Sequence, residues 1–195
     1  MNNETIQKLV RLFSKFPTVG PRTATRFVFY LIKQPEEKIN EIIETIKELR
    51  SSVIICPSCF NPFENSGHKL CPICRDNSRD KTLLCIIEKE TDLITIEKTN
   101  KYKGLYFILG ETINLRNKEI KRLDQLKERI KNNDFKEIII ALNPNTEGET
   151  TRLLLERELK QFNIKTTLLG RGLPVGAEVE YSDPDTLSSA LESRK

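Results

Sequence analysis

The chain has 195 residues, 37% of them hydrophobic and 31% charged, which is enough apolar material for a folded core and excludes a wholly disordered protein. Its longest apolar run, from Phe27 to Ile32, is far shorter than the roughly 20 residues of a membrane-spanning helix. The first residues contain neither the basic nor the apolar region of a signal peptide, so we expect a cytoplasmic protein without a membrane partner.

The positive charge is concentrated near the amino terminus. The net charge is +4, from 32 basic and 28 acidic residues. Residues 1–33 contain six basic residues and one acidic residue, a local net charge of +5, while the remainder carries −1. A basic segment on a near-neutral chain indicates a polyanionic partner at that end, with a solvated helical face as the alternative interpretation.

Apolar residues at helical spacing predict three helices near the start of the chain. They cover residues 6–13, 22–32 and 35–49. Residues 16–21 contain two prolines and a glycine, so the first helix cannot continue through them. Pro21 fits the first turn of the second helix, where a missing N–H group is tolerated.

The turn before the second helix, residues 17–24, resembles a helix–hairpin–helix motif. Gly20 matches one glycine of that motif, whereas Thr18 stands where the other glycine is usual. The motif presents backbone N–H groups and the positive end of a helix to a nucleic-acid phosphate. The alternative is an ordinary Gly-Pro turn between helices. We predict sequence-independent DNA binding by Gly20, Arg22, Arg26 and Lys15.

Four of the five cysteines form two Cys-x-x-Cys pairs separated by eleven residues, Cys56 with Cys59 and Cys71 with Cys74. Two such pairs can supply four thiolates to one tetrahedral ion, which predicts a closed, structural zinc site. The segment has little aliphatic content, so metal binding would supply its folding energy. A redox pair, chance spacing and an iron–sulfur cluster are the alternatives. Cys85 lies in an aliphatic run and reads as a core residue.

Strand and helix patterns alternate after the cysteine segment. Strands are predicted at residues 83–88, 105–109, 137–142 and 165–169, and helices at 91–99, 120–130 and 150–162. This alternation predicts an α/β domain with a mostly parallel sheet that is covered on both faces. A short helix is also predicted near residues 187–191.

The loop after the third of these strands contains Asn143, Asn145, Glu147 and Glu149. It resembles the Toprim module of topoisomerases and primases, which has Asp-x-Asp at this strand end and a glutamate after an earlier strand. Glu88 matches that glutamate, whereas Asn143 and Asn145 replace the aspartates.

Magnesium is held in proteins by anionic oxygens, so the two asparagines predict a fold that has lost phosphoryl-transfer chemistry. Weak cation binding by the remaining acids, Glu88, Glu147 and Glu149, stays open. The alternative is that Glu147 and Glu149 stabilise a helix N-terminus, where negative charge is favourable. A metal-dependent Toprim nuclease or strand-transfer enzyme is the alternative function. An adaptor without DNA contact is a third.

Four further groups of residues, spread over the chain, carry a broader resemblance. They are Cys74-Arg75-Asp76 with Arg79-Asp80, Ile96-Glu97-Lys98-Thr99, Asn143-Pro144 with Glu147-Gly148-Glu149, and Gly172-Leu173-Pro174-Val175-Gly176 with Glu180-Tyr181. Together with the motifs above, they resemble the RecR family of bacterial recombination mediators over essentially the whole chain. The departures from the family pattern are Thr18, Asn100, Phe107 and Glu111.

The resemblance implies a helix–hairpin–helix domain over residues 1–55, a four-cysteine zinc finger over 56–78, a Toprim-like domain over 79–175 and a C-terminal assembly segment over 176–195. It also implies a non-enzymatic protein that self-associates as a dimer or tetrameric ring, binds DNA, and acts with RecO and RecF to help load RecA at single-stranded gaps. The implied partner-binding residues are Glu88, Asn143, Asn145, Glu147 and Glu149.

Overall fold

A computed structural model describes residues 3–114, 117–170, 172–192 and 194 of the chain. The expected C-terminal segment, residues 176–195, therefore includes two positions outside the described residues, 193 and 195. The chain divides into two compact units, Met1–Val53 and Ile54–Lys195. The finer division into four parts stays a prediction.

The first unit consists of three helices, as the apolar spacing predicts: α1 (Glu4–Phe13), α2 (Pro21–Ile32) and α3 (Glu36–Ser52). The Asn3 side chain begins α1 by accepting hydrogen bonds from the first turn, and Pro21 occupies the first turn of α2. The ring of Phe13 on α1 meets the ring of Phe27 on α2 edge-on, with the centroids 6.1 Å apart. The two helices therefore pack against each other across a tight turn.

The cysteine segment contains short elements that the sequence pattern did not predict. They are β1 (Val53–Ile55), which pairs with β2 (Pro62–Glu64), and the four-residue helix α4 (Pro72–Arg75). Elements of three or four residues are too short to show a hydrophobic period.

The rest of the chain alternates strands and helices. The order is β3 (Leu83–Ile87), α5 (Glu90–Lys98), β4 (Leu105–Ile108), α6 (Leu123–Lys131), β5 (Glu137–Ala141), α7 (Thr146–Leu159), β6 (Lys165–Leu168) and α8 (Pro184–Glu192), with short 3-10 turns at Lys160–Phe162 and Val179–Tyr181. Helix α7 begins four residues before the predicted start, because the Asn145 side chain caps it by accepting a hydrogen bond from the Gly148 N–H. Helix α6 begins three residues later than predicted.

Strands β3 to β6 form a sheet in the order β4–β3–β5–β6, and every neighbouring pair in it is parallel. Alternate residues of β3 enter two separate cores: Leu84 and Ile86 pack with residues of α6 and α7, whereas Cys85 and Ile87 pack with Leu93 of α5. The sheet is therefore buried on both faces, as the alternating pattern predicts. None of the helices in the described ranges is long and apolar enough to cross a membrane.

Candidate functional site

The four paired cysteines come together in one cluster. Each pair lies on a tight turn, in which the Phe60 N–H donates to the Cys56 carbonyl at 2.9 Å and the Arg75 N–H donates to the Cys71 carbonyl at 3.1 Å. The four Sγ atoms all lie within 4.8 Å of one another, and the Cys59 and Cys71 sulfurs are 3.5 Å apart. Four sulfurs at about 2.3 Å from one ion in a tetrahedron would be about 3.8 Å apart. The cluster therefore fits a tetrathiolate metal site.

The fifth cysteine, Cys85, and the histidine His68 do not belong to this cluster. Cys85 lies in the apolar core beside β4, and burial raises the pKa of its thiol to about 12. A thiol with so high a pKa is unreactive at neutral pH, which agrees with the predicted core role. His68 is exposed in the loop between the two cysteine pairs.

The predicted strand-end residues lie at the carboxyl edge of the sheet. Glu88 follows β3 and Asn143 follows β5, and because these strands are parallel neighbours their ends meet. The Asn143 side-chain amide donates a hydrogen bond to the Glu88 carboxylate at 2.9 Å. The residue that matches the Toprim aspartate therefore supplies a donor to the glutamate, where an aspartate would bring a second negative charge.

The other three predicted residues of this loop lie in different surroundings. Asn145 accepts from the Gly148 N–H at 2.8 Å, and Glu149 pairs with Arg152 at 2.9 Å. Glu147 is exposed in the first turn of α7. Within the described residues, the four cysteines are the only His, Cys, Asp or Glu side chains grouped closely enough to hold a metal ion.

A glycine is required where this loop turns into α7. A Cβ atom on Gly148 would lie 1.9 Å from the Asn143 carbonyl oxygen, so any larger residue would push Asn143 away from Glu88. Beside the loop is a cleft of about 790 Å³, and its wall includes Asp183, Asp185 and Thr186 of the C-terminal segment.

The predicted DNA-binding turn lies between α1 and α2. Thr18 adopts a φ of 62°, the left-handed conformation that the usual glycine would favour. Gly20 precedes α2 with open space around its α-carbon, and no described side chain caps this helix N-terminus. Arg22, Arg26 and Lys15 are all exposed on this unit.

The sequence did not predict one partly buried polar network. Glu97 on α5 accepts hydrogen bonds from Arg79 at 3.0 Å and from the Tyr106 hydroxyl at 2.6 Å. Burial opposes ionisation of this carboxyl, but the two donors outweigh it and lower the pKa of Glu97. Arg79 and Glu97 both lie in stretches that carry the family resemblance, which was the only signal of their pairing.

Comparison with known proteins supports the resemblance to the RecR family. Family models for the RecR helix-hairpin-helix, the Toprim domain and the RecR C-terminal region match residues 6–50, 82–169 and 172–195. The chain is 42% identical to the recombination protein RecR of Bifidobacterium adolescentis, over 97% of this chain and 95% of that protein. It is 39% identical to the recombination protein RecR of Chloroflexus aggregans, over 97% of this chain and 93% of that protein.

Proposed function

This chain belongs to the RecR family of recombination proteins, and from that premise we propose that it is a non-enzymatic, DNA-binding mediator of recombinational repair in the cytoplasm. In this proposal it acts with RecO and RecF to help load RecA at single-stranded gaps. The observation that carries the non-enzymatic part is the hydrogen bond from the Asn143 amide to the Glu88 carboxylate.

The charge at this position favours a scaffold over an enzyme. Magnesium is strongly hydrated and is bound through carboxylates that offset its charge. At the strand end Glu88 meets a neutral amide that already occupies one of its oxygens, and Asn145 is directed into the first turn of α7. Phosphoryl transfer by one or two metal ions would lack its anchoring anions there.

The nuclease alternative is tested by incubating the purified full chain with single- and double-stranded DNA and Mg²⁺ or Mn²⁺. We expect the DNA to remain intact over long incubation. Cleavage that disappears in Glu88→Gln would overturn the scaffold proposal, because that variant removes the charge and keeps the shape of the side chain.

We assign DNA contact to the turn before α2, through Gly20, Arg22, Arg26 and Lys15. Its support is the open backbone around Gly20, the uncapped helix end and the exposed basic side chains. Affinity for duplex DNA should fall steeply with salt, and Arg22→Ala with Arg26→Ala should reduce the slope of log K against log[salt] by about 1.8. Lys8→Ala with Arg11→Ala removes the same charge from α1 and should leave the slope unchanged. An adaptor without DNA contact would show no binding even at low salt.

We assign the cysteine cluster to one structural zinc ion per chain. Zinc suits four soft thiolates in a closed tetrahedron, and the cysteines leave no position for a substrate. Elemental analysis should find close to one zinc per chain, and Cys56→Ser should lower both zinc content and folded yield. Cys85→Ala, which removes a thiol from the core, should keep the zinc. Iron with a visible absorbance band would contradict this assignment.

We propose the strand-end loop as the docking surface for RecO, with Glu88, Asn143, Asn145, Glu147 and Glu149 as its residues. The exposure of Glu147 supports this role, since its side chain is available to a partner. Glu147→Lys should weaken RecO binding and leave DNA binding by the chain alone unchanged. If Glu147→Lys and the unaltered chain bind RecO with equal affinity, this loop is not the docking surface.

A further inference from the structure

The two edge strands of the sheet are covered very differently. Strand β6 is one edge, and its residues are largely exposed. Strand β4 is the other edge, and all four of its residues are buried. Because β4 is buried, the N–H and C=O groups on its outer side need hydrogen-bond partners within the protein.

The cover is the first cysteine turn, residues 56–60. The Ile108 N–H on the outer side of β4 donates to the Cys59 carbonyl at 3.0 Å, as a neighbouring strand would. The Phe60 ring packs edge-on against the Phe107 ring, with the centroids 5.4 Å apart, although Phe60 has a φ of 65°. The predicted metal ligand Cys59 is therefore also a backbone partner of the sheet.

Arg129 of α6 stabilises this contact through hydrogen bonds to both the turn and β4. Its guanidinium donates to the Ser58 carbonyl, between the two ligands of the first pair, at 2.7 Å, and also to the Tyr106 carbonyl of β4. The residue is only 8% exposed. One planar cation thus joins the cysteine turn and the edge strand at the same point.

The charge of Arg129 has no acidic partner in the part of the chain that the structure describes. A buried guanidinium without a counter-charge is unfavourable. Its surroundings are two backbone carbonyls and the rings of Phe107 and Phe135, each about 6.0 Å away. Four thiolates around a divalent ion carry a net charge of −2, and this charge is centred on the turn that Arg129 contacts.

We propose that Arg129 couples the metal centre to the sheet, by positioning the first cysteine turn against β4 and by supplying the positive charge that offsets the tetrathiolate site. The inference rests on the zinc assignment above. Arg129 is a positioning residue, since it contacts the backbone between the ligands and leaves the sulfurs to the ion. Metal binding then stabilises the edge of the sheet at β4, and the contact with β4 in turn raises the affinity for the metal.

Arg122 provides a matched control from the same helix region. Its guanidinium donates to the Ile108 carbonyl at 2.8 Å and lies 4.3 Å above the Phe60 ring. It therefore also fastens the turn to β4, but its hydrogen bond reaches no carbonyl between the ligands. Replacing Arg122 tests the loss of packing, whereas replacing Arg129 tests both positioning and charge.

The experiment measures zinc affinity of the full chain by competition with a chromogenic chelator. We expect Arg129→Met to bind zinc at least roughly tenfold more weakly, the usual effect of losing an outer-shell partner of a metal site. Arg129→Lys should recover part of the affinity, because it keeps the positive charge without the planar guanidinium. Arg122→Met should lose clearly less zinc affinity than Arg129→Met, because its hydrogen bond reaches no carbonyl between the ligands. Unchanged affinity in Arg129→Met, or equal losses in Arg129→Met and Arg122→Met, would overturn the proposal.

A second measurement needs no variant and covers the case in which Arg129→Met does not fold. Amide hydrogen exchange of the unaltered chain is compared with zinc present and after zinc removal by a chelator. Protection should fall at Ile108 on β4 and persist at Ile140 on the central strand β5. Unchanged protection at Ile108, or an equal loss at both residues, would contradict the coupling. Zinc content of the unaltered chain is measured separately, so failure of the zinc assignment is recognised independently.

Discussion

Asn143 and Asn145 carry the same side chain but form different contacts, and the difference gives a residue-scale prediction. Asn143 donates to Glu88, so Asn143→Asp places two carboxylates about 3 Å apart, where like charges repel. We expect this variant to lose about 1–2 kcal/mol of stability at neutral pH. The loss should shrink on acidification or on addition of Mg²⁺, since a proton or a cation relieves the repulsion. Chemical denaturation at several pH values and Mg²⁺ concentrations measures it.

Asn145→Asp is the matched control for that experiment. Asn145 uses its oxygen to accept from the Gly148 N–H at the start of α7, and an aspartate keeps this acceptor. Its added negative charge lies at the positive end of a helix, so stability should be unchanged or higher. If the two variants lose stability equally, the amide of Asn143 has no special role at Glu88.

Thr18 carries a second residue-scale prediction. A β-branched residue such as threonine is strained at positive φ, yet Thr18 adopts a φ of 62°. Thr18→Gly should therefore stabilise the helical unit by about 0.5–1 kcal/mol, the relief of strain less the entropy cost of glycine. Thermal denaturation monitored by circular dichroism measures this gain. Gly20→Ala is the control, because φ is −81° there and the effect should be small. A destabilised Thr18→Gly would contradict the strain argument.

At the scale of elements, the sequence predicts the parts of the fold that have a period. The predicted helix over residues 22–32 matches α2, because its apolar residues recur at helical spacing. The contacts that close the site are long-range. Arg129 meets Ser58 across 71 positions of sequence and Asn143 meets Glu88 across 55, and no local pattern encodes such pairs.

Glu97 joins α5 to β4 and to the segment after the cysteines, and it gives an element-scale prediction on pH. Hydrogen bonds from Arg79 and Tyr106 hold the pKa of Glu97 below its ordinary value of 4.5. A lowered pKa contributes stability that is present above the unfolded value and is lost as the pH falls through the folded value. Glu97→Gln should therefore lower the free energy of unfolding by about 2 kcal/mol at pH 7. Below about pH 4.5, the free energies of unfolding of the variant and the unaltered chain should approach each other.

The control for this prediction is Glu128→Gln on α6, where the side chain is exposed. It removes the same charge without touching the network, so its stability should follow that of the unaltered chain at every pH. Urea denaturation between pH 3 and pH 8 compares the three proteins. If the free energy of unfolding of Glu97→Gln differs from that of the unaltered chain by the same amount at every pH, Glu97 acts through packing instead of charge.

At the scale of the whole molecule, the helical unit leaves many large apolar side chains exposed to solvent. Only Ala24 and Val28 are buried within its described helices. Phe16 is 56% exposed, and Ile46 and Leu49 are each 61% exposed. Apolar surface of this extent is typical of a protein interface, which supports self-association through this unit. The family resemblance implied a dimer or ring, whereas composition and period carry no information on assembly.

The mass of the full chain in solution, measured by light scattering with and without DNA, tests this assembly. We expect a mass above that of the 22.5 kDa monomer. Ile46→Lys with Leu49→Lys should lower that mass and preserve helix content, because each substituted side chain is already exposed on α3. Ile94→Lys is the control, since Ile94 is 51% exposed on α5 in the other unit and should leave the mass unchanged. A monomer with and without DNA would remove the basis for a ring that encloses DNA, because a closed ring requires several copies of the chain.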